Sequence, residues 1–113
     1  NNYLYIIGGY NGESMSECER LSVREDQWEA LQPLPQECFN MSVVVVKKTQ
    51  CLFALGGMSR HGLDIIQRLS LRRLEWDVLP LSLPTPALCI ASFKQDESRV
   101  CFAVESKLYC LNA

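Results

Sequence analysis

The sequence predicts an all-β fold built from a repeated unit of short antiparallel strands. An apolar run that ends in two glycines begins at Tyr3 and again at Cys51, an offset of 48 residues. The residues after it match at the same offset: between positions 4 and 31 there are nine identities without a gap, at Leu4, Gly8, Gly9, Arg20, Leu21, Ser22, Arg24, Trp28 and Leu31. Self-similarity at a period of about 20 to 50 residues is typical of solenoids, propellers and arrays, whose units bury their apolar faces on neighbours.

The strands are predicted in order from apolar and β-branched runs that lie between turn residues. They cover residues 4–7, 17–23 and 28–31, then 41–46, 51–57, 65–71 and 75–79, and finally 88–93, 100–104 and 108–111. Four consecutive valines at 43–46 favour an enclosed strand. Prolines at 33 and 35, and again at 80, 84 and 86, predict connections between units because proline interrupts a hydrogen-bond ladder. No window sustains the spacing of an amphipathic helix, which excludes helical repeats.

Each complete unit is therefore a four-stranded meander, which is the architecture of a propeller blade. We assign residues 1–36 to a blade without its first strand, 37–84 to a complete blade, and 85–113 to a partial, degenerate blade in which Glu105 and Ser106 replace the glycines. The chain thus holds about two and a third units, whereas a closed propeller needs about four to eight. We expect it to be a piece of a longer polypeptide, or to be completed by other subunits.

Charge and composition argue against several partners. The net charge is −2 and the basic residues are dispersed, so neither nucleic acid nor an anionic membrane surface is predicted as a partner. No apolar run approaches the length of a transmembrane helix, and the first residues lack a signal-peptide pattern. The six cysteines form no CxxC, and Cys18 and Cys101 stand where the repeat elsewhere has Ile66 and Leu52. They are interpreted as buried free thiols in the cytoplasm or nucleus, with a secreted disulfide scaffold as the alternative.

The full pattern resembles the kelch repeat: a strand that ends in Gly-Gly, a Glu-Arg or Gln-Arg about a dozen residues later, and then a tryptophan followed by Leu and Pro. Two units carry it clearly and a third faintly; the motif residues are Gly8, Gly9, Trp28, Gly56, Gly57 and Trp76. We interpret these as structural, with glycines that permit close backbone approach and tryptophans that fill the wedge between blades. Glu19 with Arg20, and Gln67 with Arg68, are expected to pair around the strand ends and the glycine turn. The resemblance implies a partial kelch-type β-propeller.

The sequence also departs from that family. Leu-Ser at 21–22 and 69–70 replaces the usual tyrosine or aspartate pair, and the arginine common after the inter-blade proline is absent at Cys38 and Ala87. Because such arginines help kelch propellers to hold acidic peptides, this class of ligand is disfavoured.

One end of the blades is the predicted partner-binding surface. In an up-and-down meander, the loop between the second and third strands lies at the same end as the connection between blades. The predicted binding residues at this end are Tyr10, Asn11, Glu13, Met15, Phe39, Met58, Arg60 and His61, and Glu37 and Cys38 lie beside them. Exposed aromatics, methionine and arginine are enriched in protein interfaces. The alternative is that these are ordinary solvated loops.

No catalytic residue, metal site or cofactor is predicted. His61 is the single histidine and has no neighbouring ligands in the sequence, whereas a metal site needs three or four that converge. The resemblance implies a protein-protein interaction module, either a substrate-recognition adaptor of a cullin-type ubiquitin ligase or a scaffold associated with actin or microtubules. The alternative class is a galactose-oxidase-like copper enzyme, which would need a Tyr-Cys crosslink and two histidines.

Overall fold

The computed structural model describes the backbone of residues 2–86, 91–96, 99–104 and 107–112, and the side chains of residues 2–86 together with Cys101 and Cys110. This part of the chain contains strands and no helix. The strands are β1 (Tyr3–Tyr10), β2 (Ser14–Ser22), β3 (Gln27–Leu31), β4 (Ser42–Val46), β5 (Cys51–Leu55), β6 (Ile65–Ser70), β7 (Glu75–Ser82), β8 (Ala91–Asp96), β9 (Arg99–Val104) and β10 (Lys107–Asn112). The prediction of an all-β fold is confirmed.

The strands form three antiparallel sheets in which each strand pairs with its neighbour in sequence. The first sheet has the order β1-β2-β3, the second β4-β5-β6-β7, and the third β8-β9-β10. The offset of 48 residues makes β1, β2 and β3 the counterparts of β5, β6 and β7. Among the described residues, the first sheet therefore has no counterpart of β4.

Ser22 and its repeat counterpart Ser70 stabilise the turns that join β2 to β3 and β6 to β7. The hydroxyl of Ser22 accepts a hydrogen bond from the backbone N–H of Glu25, and Ser70 does the same for Arg73, each at 3.2 Å. Both turns then close at a residue with positive φ, Asp26 at 55° and its counterpart Leu74 at 56°. A short side chain that hydrogen-bonds nearby backbone favours such turns. Serine therefore occurs at both repeat positions because its hydroxyl stabilises the turn.

Strand β7 differs from its prediction. It continues to Ser82 and includes Pro80, which was predicted to lie in a connection. Ile65 pairs with Ser82 and Gln67 with Val78, so Ile66 opposes a bulge of three residues that contains the proline. A bulge on a strand with one paired edge tolerates a residue that has no N–H to donate. The prediction for Pro80 was wrong for this reason.

The valine run of β4 is only partly enclosed. Val44 and Val46 are buried in a cluster with Phe53, Leu55, Ile66 and Leu83. Val43 and Val45, on the opposite face, are 42% and 38% exposed. Val45 pairs with Leu52, which lies on the same face of the second sheet as Trp76, the face next to the first sheet. In the first sheet, no described strand pairs with the free edge of β1 to cover these valines. The expectation of a fully enclosed strand holds for one face only.

The cysteines divide into two kinds. Cys101 and Cys110 face each other on β9 and β10 and form a disulfide, with a Cα–Cα distance of 4.1 Å. The prediction of free thiols was wrong for Cys101 and Cys110, because the repeat position shows burial but not the cross-strand neighbour. Cys18 and Cys38 are free and buried, and Cys51 is free and half-buried. Burial raises the pKa of Cys18, and it raises the pKa of Cys38 to about 11, which keeps that thiol protonated at neutral pH. Cys89 and Ala87 lie outside the described residues.

Candidate functional site

The candidate site is the loop face, which we define as the loop after β1 (residues 10–15), the connection between the first two sheets (residues 32–41) and the loop after β5 (residues 56–64). Two of these segments pair directly. The backbone N–H of Phe39 donates to the carbonyl of Met58 at 2.9 Å, and Met58 donates back to Phe39 at 2.8 Å. The hydroxyls of Ser14 and Ser59 lie 3.2 Å apart. Segments of both sheets therefore form one ordered surface.

An aromatic pair lies at the edge of this surface. The rings of Tyr10 and Phe39 have centroids 4.8 Å apart and are tilted by 52°. Tyr10 is nonetheless 61% exposed. Tilted aromatic pairs add about 0.5–1.5 kcal/mol beyond the area they bury. Tyr10 is thus held in place while most of its ring remains open to a partner.

The eight predicted binding residues separate into two groups. Tyr10, Asn11, Glu13, Arg60 and His61 are exposed. Met15, Phe39 and Met58 are half-buried and hold the loops together through their backbone groups. Cys38, which was expected at this surface, is fully buried. Fewer of the predicted residues are therefore accessible to a partner than the sequence indicated.

A polar recess of about 400 Å³ opens between the loops. It is lined by Tyr10, Gly12, Glu13, Ser14, Ser16, Glu17, Glu37, Ser59 and Arg60. Three of these carry carboxylates and one carries a guanidinium. The residues predicted from the sequence did not include Gly12, Ser14, Ser16, Glu17 or Ser59. The contact of Ser14 with Ser59 spans 45 residues of chain, which local spacing does not show. The counterparts of Ser14, Glu17 and Ser59 in the repeat are Gly62, Ile65 and Asn11. Only Asn11 was a predicted binding residue, so the repeat gave no signal for Ser14 or Glu17.

The glycine pairs explain how the connection reaches both sheets. Gly8 has a φ of +60°, and a Cβ atom there would lie 2.5 Å from the carbonyl oxygen of Cys38. Gly57 has a φ of +102°, and its Cβ would lie 3.0 Å from the carbonyl oxygen of Phe39. The N–H of Gly9 donates to the Cys38 carbonyl at 3.0 Å. Gly8 of the first motif and Gly57 of the second therefore both lie against the connection between the sheets. Neither position has room for a side chain.

Gln67 holds the same connection from the second sheet. Its side chain is fully buried. The amide oxygen accepts the N–H of Gln36 at 2.9 Å, and the amide nitrogen donates to the Gln36 carbonyl at 3.3 Å and to Cys38 Sγ at 3.7 Å. Buried polar groups need such partners. Gln67 was expected to pair at the glycine turn, and that prediction was wrong.

The arginines of the motif pair across their own sheets instead. Arg20 donates to Glu29 on β3, and Arg68 donates twice to Asp77 on β7, at 3.0 and 2.6 Å. These partners face each other directly in the strand register. Residues next to each other on a strand point to opposite faces. Arg68 and Gln67 therefore cannot both pair around the glycine turn. The prediction that they do so was wrong.

The two motif tryptophans have different surroundings. Trp76 packs against the buried cluster of Cys18, Leu34, Cys38 and Leu63, and its indole N–H donates to the carbonyl of Gln32 at 3.0 Å. It therefore lies between the first and second sheets. Its counterpart Trp28 is 50% exposed on the other face of the first sheet.

Within residues 2–86 and the described parts beyond them, no three His, Cys, Asp or Glu side chains are placed to share a metal ion. The same part of the chain has no helix long and apolar enough to cross a bilayer.

Comparison with known proteins agrees with the repeat. The family model of the Kelch motif matches residues 1–35, which comprise the first sheet and the start of the connection. A Kelch repeat-containing protein of Dictyostelium discoideum is 34% identical over 84 residues, which cover 70% of this chain and 13% of that protein. Kelch repeats indicate a protein-protein interaction module. Since sequence period, antiparallel sheets and these matches agree, the chain belongs to the kelch-repeat family and has the fold of a partial kelch-type β-propeller.

Proposed function

We propose that the loop face of this chain binds a partner protein. The observation that carries the proposal is the two-way backbone pairing of Phe39 with Met58, which joins loops of two sheets into one surface. Interfaces favour rigid surfaces because fewer groups must be ordered on binding. Tyr10 supplies an exposed aromatic anchor at the edge, and such anchors dominate binding energies.

The charges in the recess argue against one class of partner, acidic peptides. Its charged side chains are Glu13, Glu17, Glu37 and Arg60. Three carboxylates against one guanidinium make a poor match for an acidic peptide, since like charges across an interface are unfavourable. The absence of the family's arginines at Cys38 and Ala87 agrees with this.

For the whole protein we propose the role of a substrate-recognition adaptor of a cullin-type ubiquitin ligase, acting in the cytoplasm or nucleus without catalysis of its own. The kelch resemblance supports this role. It equally brings the alternative of an actin or microtubule scaffold. Quantitative mass spectrometry of proteins crosslinked to the full-length protein distinguishes the two: recovery of cullin and its substrates supports the adaptor, and recovery of actin or tubulin alone supports the scaffold.

A double substitution tests the loop face. We expect Tyr10→Glu with Arg60→Glu to weaken partner binding at least about tenfold, because it removes an aromatic anchor and reverses the positive charge that lines the recess. Binding is measured by titration with the partner that crosslinking identifies, at a temperature well below the melting temperature. Both residues are exposed, so cooperative unfolding should persist.

The matched control is Val23→Glu. Val23 is an exposed apolar residue, 58% accessible, in the turn at the opposite end of the first sheet. It matches the Tyr10→Glu half of the double variant, with one added negative charge at a comparable exposure, and binding should stay within about twofold, as for a surface site outside the interface. Equal loss in both variants, or no loss in either, would place the partner elsewhere.

A further inference from the structure

The loop after β1 contains an asparagine that is followed directly by a glycine, Asn11 and Gly12. Both residues are exposed. The backbone N–H of Asn11 donates to the carbonyl of Glu13 at 3.2 Å. Within the part of the chain that the structure describes, neither the side-chain amide of Asn11 nor the backbone N–H of Gly12 has a hydrogen-bond partner. These two neighbouring groups are therefore available to react with each other.

An asparagine side chain is open to attack by the backbone nitrogen of the next residue. The nitrogen gives its proton to water and bonds to Cγ of the asparagine, and the side-chain nitrogen leaves as ammonia. Water then opens the cyclic imide at either carbonyl, which gives aspartate or isoaspartate. The reaction needs no oxidant, reductant or enzyme. Because the nitrogen must approach Cγ closely, the reaction is fastest where the next residue has no side chain to hinder it.

The surroundings of Gly12 leave room for this ring to close. Gly12 has a φ of +107°, and nothing lies within 4 Å of the position that a Cβ atom would take there. A φ in this region favours glycine, because a side chain would be strained. Rotation of the backbone at Gly12 therefore meets no neighbouring atom on the side where a Cβ would stand.

Asn40 provides a comparison within the same chain. It is also exposed, but it is followed by Met41, which is half-buried. The side chain of Met41 packs against the buried cluster that contains Leu34 and Cys38. Its Cβ atom would lie 3.1 Å from a Cβ at Gly57, so the backbone at Met41 is closely surrounded. The same ring closure is therefore hindered at Asn40, both by the side chain of the next residue and by its packing.

We infer that Asn11 is a site of spontaneous modification, at which attack by the backbone nitrogen of Gly12 replaces the side-chain amide with a carboxylate, as aspartate or isoaspartate. The new negative charge lies next to Glu13, which lines the polar recess together with Glu17. Isoaspartate also adds the Cβ atom to the main chain directly after Tyr10. The modification therefore changes both the charge and the backbone of the loop face.

The test is incubation of the protein at neutral pH and physiological temperature, followed by peptide mapping with mass spectrometry and by enzymatic methylation of isoaspartate. We expect the amide of Asn11 to be lost at least about tenfold faster than that of Asn40, because the residue after Asn11 has no side chain. Loss should be faster at mildly alkaline pH, since the attacking nitrogen must give up its proton. Gly12→Ala should slow the loss at Asn11 at least about tenfold and leave Asn40 unchanged.

Asn11→Gln is a second variant for the case that Gly12→Ala disturbs folding. Its side chain is longer and must close a larger ring, so the amide at this exposed position should persist. An Asn11 that keeps its amide as long as Asn40 does would overturn the inference, and so would equal loss with Gly12→Ala or Asn11→Gln.

The effect on binding rests on the proposed function and is measured separately. The modified chain, isolated by anion exchange, should bind the partner that crosslinking identifies at least about threefold more weakly, because charge and backbone at the interface have changed. Unchanged binding by the fully modified chain would contradict the loop face as the binding surface, while the modification itself would be established by the mass spectra.

Discussion

Gly8→Ala is expected to lower the free energy of unfolding by at least about 2 kcal/mol more than Gly12→Ala does. The added methyl at Gly8 would lie 2.5 Å from a backbone carbonyl, 3.0 Å from Leu34 Cδ1 and 3.1 Å from Met41 Cε. A backbone atom cannot move aside as a flexible side chain can. The connection would have to withdraw, which also breaks the hydrogen bond from Gly9 to Cys38.

Gly12 is the matched control because it shares the backbone strain without the collision. Its φ is +107°, and nothing lies within 4 Å of the position of its Cβ. Alanine there carries only the conformational penalty, about 1–3 kcal/mol. Urea unfolding with an unchanged m value measures both variants. An equal loss at the two glycines would show that the connection does not need the close approach at Gly8.

Gln67→Ala is expected to destabilise the fold by about 2–3 kcal/mol, through the unpaired backbone groups of Gln36 and the void that it leaves. The N–H and C=O of Gln36 both bond to this one side chain. Gln27→Ala removes the same atoms from an exposed site on β3 and should change stability by less than about 0.5 kcal/mol. A near-neutral Gln67→Ala, measured by thermal and urea unfolding, would mean that the glycines alone secure the connection.

The strands could be predicted because each is a short apolar run with turn residues on both sides. The predicted strand 41–46 agrees with β4 at Ser42–Val46 to within one residue. Pro80 was misplaced because the bulge opposite Ile66 depends on pairing between strands, which the order of residues along one strand does not show. The disulfide follows from the register of β9 and β10: Val104 pairs with Lys107, and Cys101 and Cys110 each lie three residues from that pair.

The site was less predictable because its contacts are long-range. Gln67 and Gln36 are 31 residues apart, and local spacing says nothing about such a pair. Trp28 and Trp76 occupy the same repeat position, yet one is half exposed and the other packs between sheets. The difference lies in the neighbouring sheet and not in the residue. Likewise Met58 was chosen for its side chain, whereas its backbone pairing with Phe39 is what orders the loop face.

Amide hydrogen exchange of the full-length protein, with and without its crosslinked partner, tests most directly whether this end of the sheets is where another protein sits. Binding is predicted to slow exchange in residues 10–15 and 58–62, and to leave the turns at residues 47–50 and 71–74 unchanged. Slowing confined to those turns, with residues 10–15 and 58–62 exchanging as in the free protein, would contradict the assignment of the loop face as the binding surface.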